Sequence, residues 1–180
     1  RLKIFFHTKN KSLDDWYEFS STLLGGFPEL QTFGNRANIF LADKNYDVVI
    51  DNQSISFGMI DIQKSKPLIE IMHHPISKDY FYDLKFARGL VQRLSKIRWF
   101  SFLKMQKKVA KQINVVVTPS LNSKQDIHHD FKVPMKNIQV IPNGIDFNIF
   151  CSLPNILPRA NGVITTASAD VPLKGLDFLL

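Results

Sequence analysis

The stretch that decides the fold is IQVIPNGIDFNIF, residues Ile138–Phe150. Its first residues are mostly apolar β-formers, and they run directly into Pro-Asn-Gly, a turn sequence. We therefore expect a buried strand over Ile138–Pro142 that stops abruptly. An aromatic side chain, Phe150, follows soon after the turn, and the segments on either side indicate why the strand stops here.

Four further short apolar runs precede this strand, and none of them alternates between apolar and polar residues. Continuous apolar runs of this length are typical of strands buried on both faces of a sheet. Helical patterns separate the runs, so the order of elements predicts an α/β fold with a doubly wound parallel sheet flanked by helices. The four runs are Leu2–Phe6, Tyr46–Asp51, Pro67–His73 and Asn114–Ser120.

The segments between the runs carry helix signals of different strength. Residues 84–113 strongly predict one or two helices, with Gly89 as an interruption, and residues 55–64 predict one weakly. Ser120 is placed to cap the helix that follows it, because its hydroxyl can accept a hydrogen bond from a free first-turn N–H. Residues 25–35 (GGFPELQTFGN) resemble a loop.

Composition excludes several classes of protein. The chain has 180 residues, 44% of them apolar and 22% charged, as in a globular protein of one domain or one domain and part of another. Its single cysteine, Cys151, excludes an intrachain disulfide and suits a reducing compartment, so we expect a cytoplasmic protein. No apolar run reaches the roughly 18–20 residues that cross a bilayer. The chain begins with Arg1, and we expect both of its ends to be cut.

The net charge of +7 is concentrated in residues 84–113, which hold nine Lys and Arg residues and no Asp or Glu. The rest of the chain therefore carries a net charge of −2. Three interpretations are open: the cations are solvated on a helix that buries its apolar stripe, they rest on an anionic membrane surface, or they bind nucleic-acid phosphates. Because no nucleic-acid recognition motif accompanies them, we expect no nucleic-acid partner.

Polar side chains follow two of the predicted strands, and ligands bind at the carboxyl ends of strands in open parallel sheets. Asp51, Asn52 and Gln53 end one apolar run, where they either meet a polyhydroxylated ligand or cap the next helix. His73 and His74 end the next run. Neighbouring strand residues point to opposite faces, so these two imidazoles are poorly placed to bind one metal ion. An imidazole here is either structural or a cleft donor to a charged ligand or reacting hydroxyl.

The pattern changes after Phe150. Residues 151–162 have two prolines and no periodicity, which is typical of a linker, and residues 163–180 predict a new strand, loop and helix start. In that loop Lys174 precedes Gly175 at a predicted helix N-terminus, a pattern that can bind an anion; a solvated lysine is the alternative. The chain has no Gly-x-Gly-x-x-Gly sequence, P-loop, zinc spacing or Gly-x-Ser-x-Gly elbow, so dehydrogenase, kinase and serine-hydrolase functions lack support.

Taken together, VVVTPSLNSKQDI, VIPNGIDFNIF and ASADVPLKGLDFLL resemble the middle of a family 4 glycosyltransferase of the GT-B type. The resemblance covers roughly residues 46–180. It implies that residues 1–150 form a Rossmann-like acceptor-side domain without its first strand. Residues 151–162 would then be the linker, and residues 163–180 the start of a second Rossmann-like domain that binds the nucleotide sugar.

On this resemblance, the strand that begins at Ile138 stops because the chain leaves one domain. The hinge would comprise Asn143, Gly144, Asp146 and Phe150. Gly144 would supply a backbone conformation that a Cβ atom hinders, and Phe150 would anchor the departing segment.

The resemblance also implies a function. Members of the family transfer a sugar from a nucleotide-sugar donor to a glycan, lipid-linked or small-molecule acceptor, with retention of configuration and without a bound metal or other cofactor. The reaction takes place in a cleft between two domains. His73 matches the family's cleft histidine and would contact the transferred sugar or its acceptor. Lys174, with Gly175 beside it, matches the lysine that stabilises the leaving diphosphate.

The donor site departs from the family pattern at one position. Ala167 and Ser168 stand where the family commonly carries Gly-Arg, so one phosphate-binding cation is replaced by a hydroxyl. The alternative functions are therefore a non-catalytic sugar- or nucleotide-binding module of the same fold, or a basic domain that binds a membrane surface. The family's C-terminal glutamates would lie beyond Leu180, and we expect this part alone to be inactive.

Overall fold

The structure, a computed structural model, describes Phe6 and residues 10–151. The chain divides into two compact units, Arg1–Ile141 and Pro142–Leu180. The first unit holds the sheet and its helices. Residues 152–180 lie outside the described part, so the predicted linker and second domain stay predictions.

The first unit is built on a four-stranded parallel sheet, which confirms the predicted α/β class with a parallel sheet flanked by helices. The strands follow one another across the sheet in sequence order, and each is shorter than the apolar run that predicted it. The register places Asp51 beside Glu70 and Val116 beside Ile138. The strands are β1 Val49–Asn52, β2 Leu68–Ile71, β3 Val116–Thr118 and β4 Ile138–Val140.

Helices precede the first strand and connect the others. The predicted cap is confirmed at Ser120, whose hydroxyl accepts from the Ser123 N–H at 3.1 Å, and Ser12 accepts from the Asp15 N–H at 3.2 Å. The helices are α1 Leu13–Leu23, α2 Glu29–Ala42, α3 Phe57–Ser65, α4 Ser77–Lys85, α5 Gly89–Trp99, α6 Leu103–Ala110 and α7 Leu121–Phe131, with 3-10 turns at Phe100–Phe102 and Met135–Asn137.

The core lies between one face of the sheet and the helices. Leu68, Val116 and Ile138 belong to one buried cluster with Met59 of α3. Crossovers between neighbouring parallel strands are right-handed, so successive crossovers in one direction place their helices on one face. Among the described residues the other face is partly open, and Ile50 on β1 is 58% exposed. The prediction that every strand is buried on both faces is therefore wrong for β1.

Residues 25–35 were expected to form a loop, and the structure corrects this because α2 begins at Glu29. Gly34 weakens the helix but lets α2 approach α3 closely. A Cβ atom on Gly34 would lie 1.7 Å from Ser56 Oγ, and one on Gly58 would lie 2.0 Å from the Gly34 carbonyl oxygen. Close packing between the two helices therefore outweighs the local loop signal.

The basic segment forms two helices, α5 and α6, as predicted. Gly89, however, begins α5 and does not interrupt a helix. Its φ of +79° is readily adopted by glycine, which has no Cβ atom. The glycine therefore marks the boundary between α4 and α5.

Of the strand predicted at Leu2–Phe6, only Phe6 is described, and its backbone is helical. Its ring packs edge-to-face against Phe19 of α1, with the ring centroids 5.8 Å apart. Periodicity does not separate helix from strand in so short an apolar run. The strand prediction is therefore wrong at Phe6, and residues 2–5 lie outside the described part.

In the second unit, Asp146 forms the turn after Pro-Asn-Gly. Its carboxylate accepts from the Asn148 N–H, and its carbonyl oxygen accepts from the Phe150 N–H, both at 2.9 Å. Gly144 has no positive φ, and a Cβ atom there would meet no described atom within 4 Å, so the conformational reason expected for this glycine is wrong. Phe150 is 71% exposed, and its anchoring role stays a prediction. The hinge role of this segment, Asn143 included, stays a prediction.

Candidate functional site

The loop that follows β1 is built around the carboxylate of Asp51. Its Oδ2 atom accepts hydrogen bonds from the Ser54 N–H at 3.0 Å, the Ser54 hydroxyl at 2.7 Å and the Ile55 N–H at 3.2 Å. Asp51 is buried, so its carboxylate is committed to the loop. Of the two roles that the sequence left open, this geometry favours local capping over contact with a ligand.

Two residues of this loop have a left-handed backbone. The φ angles are +69° at Gln53 and +48° at Ile55. A positive φ is rare for a β-branched residue, and such strain costs about 1–3 kcal/mol per residue. Ile55 is buried in the core, and its N–H is bonded to Asp51, so packing and hydrogen bonding together hold the loop in this shape.

The side chain of Gln53 bridges the ends of β1 and β2. Its Oε1 atom accepts from the His73 N–H at 3.1 Å, and its Nε2 atom donates to the His74 carbonyl oxygen at 3.3 Å. The His73 ring has a second contact, because its Nε2 atom lies 2.9 Å from Oδ1 of Asn52. The structure thus brings Asn52, Gln53 and His73 together at the carboxyl edge of the sheet. Their roles toward a ligand stay predictions.

His74 has a different partner. Its Nε2 atom lies 2.9 Å from Oδ2 of Asp79 in the first turn of α4. When protonated, His74 forms an ion pair with this carboxylate. The two adjacent histidines therefore contact separate groups, an amide for His73 and a carboxylate for His74.

A buried carboxyl pair behind this edge was not predicted. Glu70 on β2 lies beside Asp51 on β1 and is fully buried. Burial, and after it the neighbouring Asp51, raise the pKa of the Glu70 carboxyl to about 10. Neither Glu70 oxygen accepts a hydrogen bond of normal geometry from the described residues, and a proton on Glu70 can be donated to Asp51. The signal in the sequence was a single acidic residue inside the apolar run PLIEIMH.

The basic segment leaves α5 almost uncovered. Leu90, Val91 and Leu94 are 79%, 83% and 58% exposed, and α5 has no buried residue. The interpretation that the segment buries its apolar stripe is therefore wrong for α5 within the described residues. It holds for α6, which buries five of its eight residues.

Three observations on the described part of the chain concern metal binding, membrane spanning and the predicted donor site. No three His, Cys, Asp or Glu side chains there are grouped as ligands for a metal ion. None of its helices is both long enough and apolar enough to cross a bilayer. The predicted donor-side residues Ser168, Lys174 and Gly175 lie outside it, so their roles stay predictions.

Known proteins share this sequence pattern. The model of the family described as Glycosyltransferase Family 4 matches residues 14–148. The chain is also 40% identical over 173 residues to MMP alpha-(1->4)-mannosyltransferase of Mycolicibacterium hassiacum. That match covers 94% of this chain and 41% of the relative, so the chain spans about two fifths of the relative's length.

Proposed function

Because the chain belongs to glycosyltransferase family 4, we propose that the complete protein transfers a sugar from a nucleotide-sugar donor to an acceptor with retention of configuration. The acceptor is a glycan, a lipid-linked sugar or a small molecule, and the transfer takes place in a cleft between two domains. The name of the 40% identical relative makes an activated mannose the first donor to test.

The observation that carries this proposal is the position of His73. Its ring lies at the carboxyl edge of the parallel sheet, where open α/β sheets bind their ligands. Asn52 holds the ring at 2.9 Å, and the side chain is still exposed to solvent. A positioned and accessible imidazole can exchange a proton or a hydrogen bond with a sugar hydroxyl.

On the donor side, we assign the diphosphate to Lys174 and Gly175, without a bound metal. An ammonium at a helix N-terminus stabilises the negative charge that develops on the leaving diphosphate. Ser168 offers a hydroxyl in place of a family arginine. We therefore expect weaker donor binding than in a relative that has the arginine.

Transfer by the full-length protein from nucleotide-activated mannose tests the proposal. His73→Ala and Lys174→Ala are each expected to lower kcat/KM by about a hundredfold. His129→Ala is the matched control, because the His129 side chain is 80% exposed on α7. A chelator is expected to leave the rate unchanged.

Turnover that survives both substitutions would remove His73 and Lys174 from the site. Donor binding without any turnover would instead support the non-catalytic sugar- or nucleotide-binding module to which Ser168 points. Calorimetric titration with the nucleotide sugar separates these two results.

A second candidate function, association with an anionic membrane surface, is favoured by α5. Its exposed apolar side chains fall on one face of the helix, Arg93 lies at one edge of this face, and Arg98 lies seven residues after Val91 on the same side. A helix of this kind can lie in the interface of an anionic bilayer, where each cation contributes about 1 kcal/mol. The protein would then sit peripherally on the cytoplasmic face of the membrane.

Vesicle flotation tests the membrane candidate. The protein is expected to float with vesicles that contain anionic lipid and to remain in the bottom fraction of the gradient when the vesicles are neutral. Leu94→Glu should abolish flotation, because it places a carboxylate on the apolar face. Equal binding to neutral vesicles would speak against an electrostatic contribution.

A further inference from the structure

Three surface hollows of the first unit meet at Ser101, in the 3-10 turn between α5 and α6. Their volumes are about 260, 380 and 340 Å³, and Ser101 lines all three. We call their combined surface the Ser101 groove. Its charged side chains are those of Arg98, Lys104, Lys107 and Lys108.

The four cations of the Ser101 groove have no carboxylate partner within the described residues. No Asp or Glu among the described residues lines any of the three hollows. Elsewhere in the unit, cations do find partners: Arg36, Lys78 and Lys96 lie 2.6–3.1 Å from carboxylate oxygens. The four cations of the groove make no such ion pair with a carboxylate in the described part of the chain.

The arrangement of these cations is unfavourable without an anion. Lys104, Lys107 and Lys108 are three and four residues apart on α6, so their ammonium groups lie on the same side of the helix. Like charges at these spacings repel and destabilise a helix. A bound anion with several oxygens would neutralise the repulsion, and Arg98 adds a planar fork of N–H donors suited to phosphate.

Apolar and aromatic residues also line the groove, so it suits a ligand that carries a ring or an apolar part beside its charged group. The aromatic rings of Phe27 and Phe57 line the first hollow beside Lys104 and Lys108. Ile97 lines the third hollow, so this part of the groove is continuous with the exposed apolar face of α5. A phosphate carried by a sugar or by a lipid could use both kinds of wall.

The Ser101 groove also lies at the edge of the sheet that holds His73. Helices that connect parallel strands run antiparallel to them, so α3 and α6 begin at the carboxyl edge. Phe57 and Leu103, the first residues of these two helices, both line the groove. A ligand in the groove therefore approaches the same edge of the sheet as a ligand at His73.

We propose that the Ser101 groove binds the phosphate group of a phosphorylated acceptor through Lys104, Lys108, Lys107 and Arg98, an assignment that rests on the proposed function. The phosphate belongs to a soluble sugar or to a lipid headgroup.

Binding measured without turnover tests the proposal on the full-length protein. A hexose 6-phosphate is the soluble probe, and phosphatidylcholine vesicles containing phosphatidic acid are the lipid probe. Each lost charge-assisted contact is expected to weaken binding about tenfold, so the double variant Lys104→Gln/Lys108→Gln should lose about a hundredfold. Lys136→Gln, which removes an exposed lysine outside the groove and outside α5, is the control in both arms.

The proposal is supported if at least one probe binds and if this binding is weakened by Lys104→Gln/Lys108→Gln. The probe that responds identifies the source of the phosphate. Failure of both probes to bind would overturn it. Equal weakening of binding by Lys136→Gln would also overturn it, because the probes would then be attracted to the positive charge of the protein in general and not to the groove. If the full-length protein binds a phosphate probe in this way but transfers no sugar, the result counts against the proposed function and not against the groove. The melting temperature of each variant checks that it is folded.

Discussion

The Nε2 atom of His73 lies 2.9 Å from Oδ1 of Asn52, across the ends of two neighbouring strands. An amide oxygen can only accept a hydrogen bond, so in a neutral ring this contact places the proton on Nε2. The lone pair is then on Nδ1, which can accept a proton or a hydrogen bond. Asn52 therefore acts as a positioning residue that decides which nitrogen of His73 is available.

Replacing Asn52 by alanine frees the His73 ring to rotate and to change tautomer. On the proposed role of His73, we expect Asn52→Ala to lower kcat about ten- to a hundredfold with little change in KM, because misplacing the imidazole would act mainly on the rate. Steady-state transfer kinetics measure this. Asn122→Ala, at an exposed position of α7, is the control, and unchanged kinetics in Asn52→Ala would show that the contact is incidental.

Asp51 is expected to matter for stability as well as for activity. Asp51→Ala removes three hydrogen bonds from a loop that contains two left-handed residues, and we expect a loss of about 2 kcal/mol in the free energy of unfolding. Activity should also fall, since Gln53 would no longer be held against His73. Denaturant unfolding gives the free energy, and Asp61→Ala, which removes only an exposed ion pair with Lys64, should change it by less than about 0.5 kcal/mol.

The buried carboxyl of Glu70 makes stability depend on pH. Burial and the neighbouring Asp51 raise its pKa from 4.5 to about 10, so the folded protein keeps a proton that the unfolded chain releases above pH 4.5. Stability is therefore expected to fall by about 1.4 kcal/mol per pH unit as the pH rises from the unfolded to the folded pKa. Glu70→Gln cannot titrate, and its advantage over the wild type should grow between about pH 5 and about pH 9. Parallel stability curves for the two proteins would contradict the assignment.

The close approach of α2 and α3 depends on Gly58. A Cβ atom at this position would lie 2.0 Å from the Gly34 carbonyl oxygen, a backbone atom that cannot move aside alone. We expect Gly58→Ala to cost about 2 kcal/mol and to lower the melting temperature by about 4–8 °C. Gly144→Ala is the matched control, because its Cβ atom would meet no described atom within 4 Å. Equal melting temperatures in the two variants would mean that the helices can separate at little cost.

Local sequence patterns were enough to predict the succession of strands along the chain, the cap at Ser120 and the resemblance that the family match later supported. These depend on local chemistry: runs of β-formers, a hydroxyl before a helix and turn residues after a strand. It failed at residues 25–35, where the glycines signalled a loop and the packing of α2 on α3 outweighed them. It also assigned Gly144 a conformational role that its backbone does not show.

The sequence by itself therefore determined the α/β class, the turns that end the strands and which polar residues follow each strand, because these properties depend on neighbours along the chain. The tertiary structure decided how those residues are used. Asp51 holds a loop, Asn52 and Gln53 hold His73, and Glu70 keeps a proton, because strands that are distant in sequence meet at one edge of the sheet. The same is true of the Ser101 groove, whose walls come from several helices. Contacts between distant segments create burial and charge environments that no local pattern records.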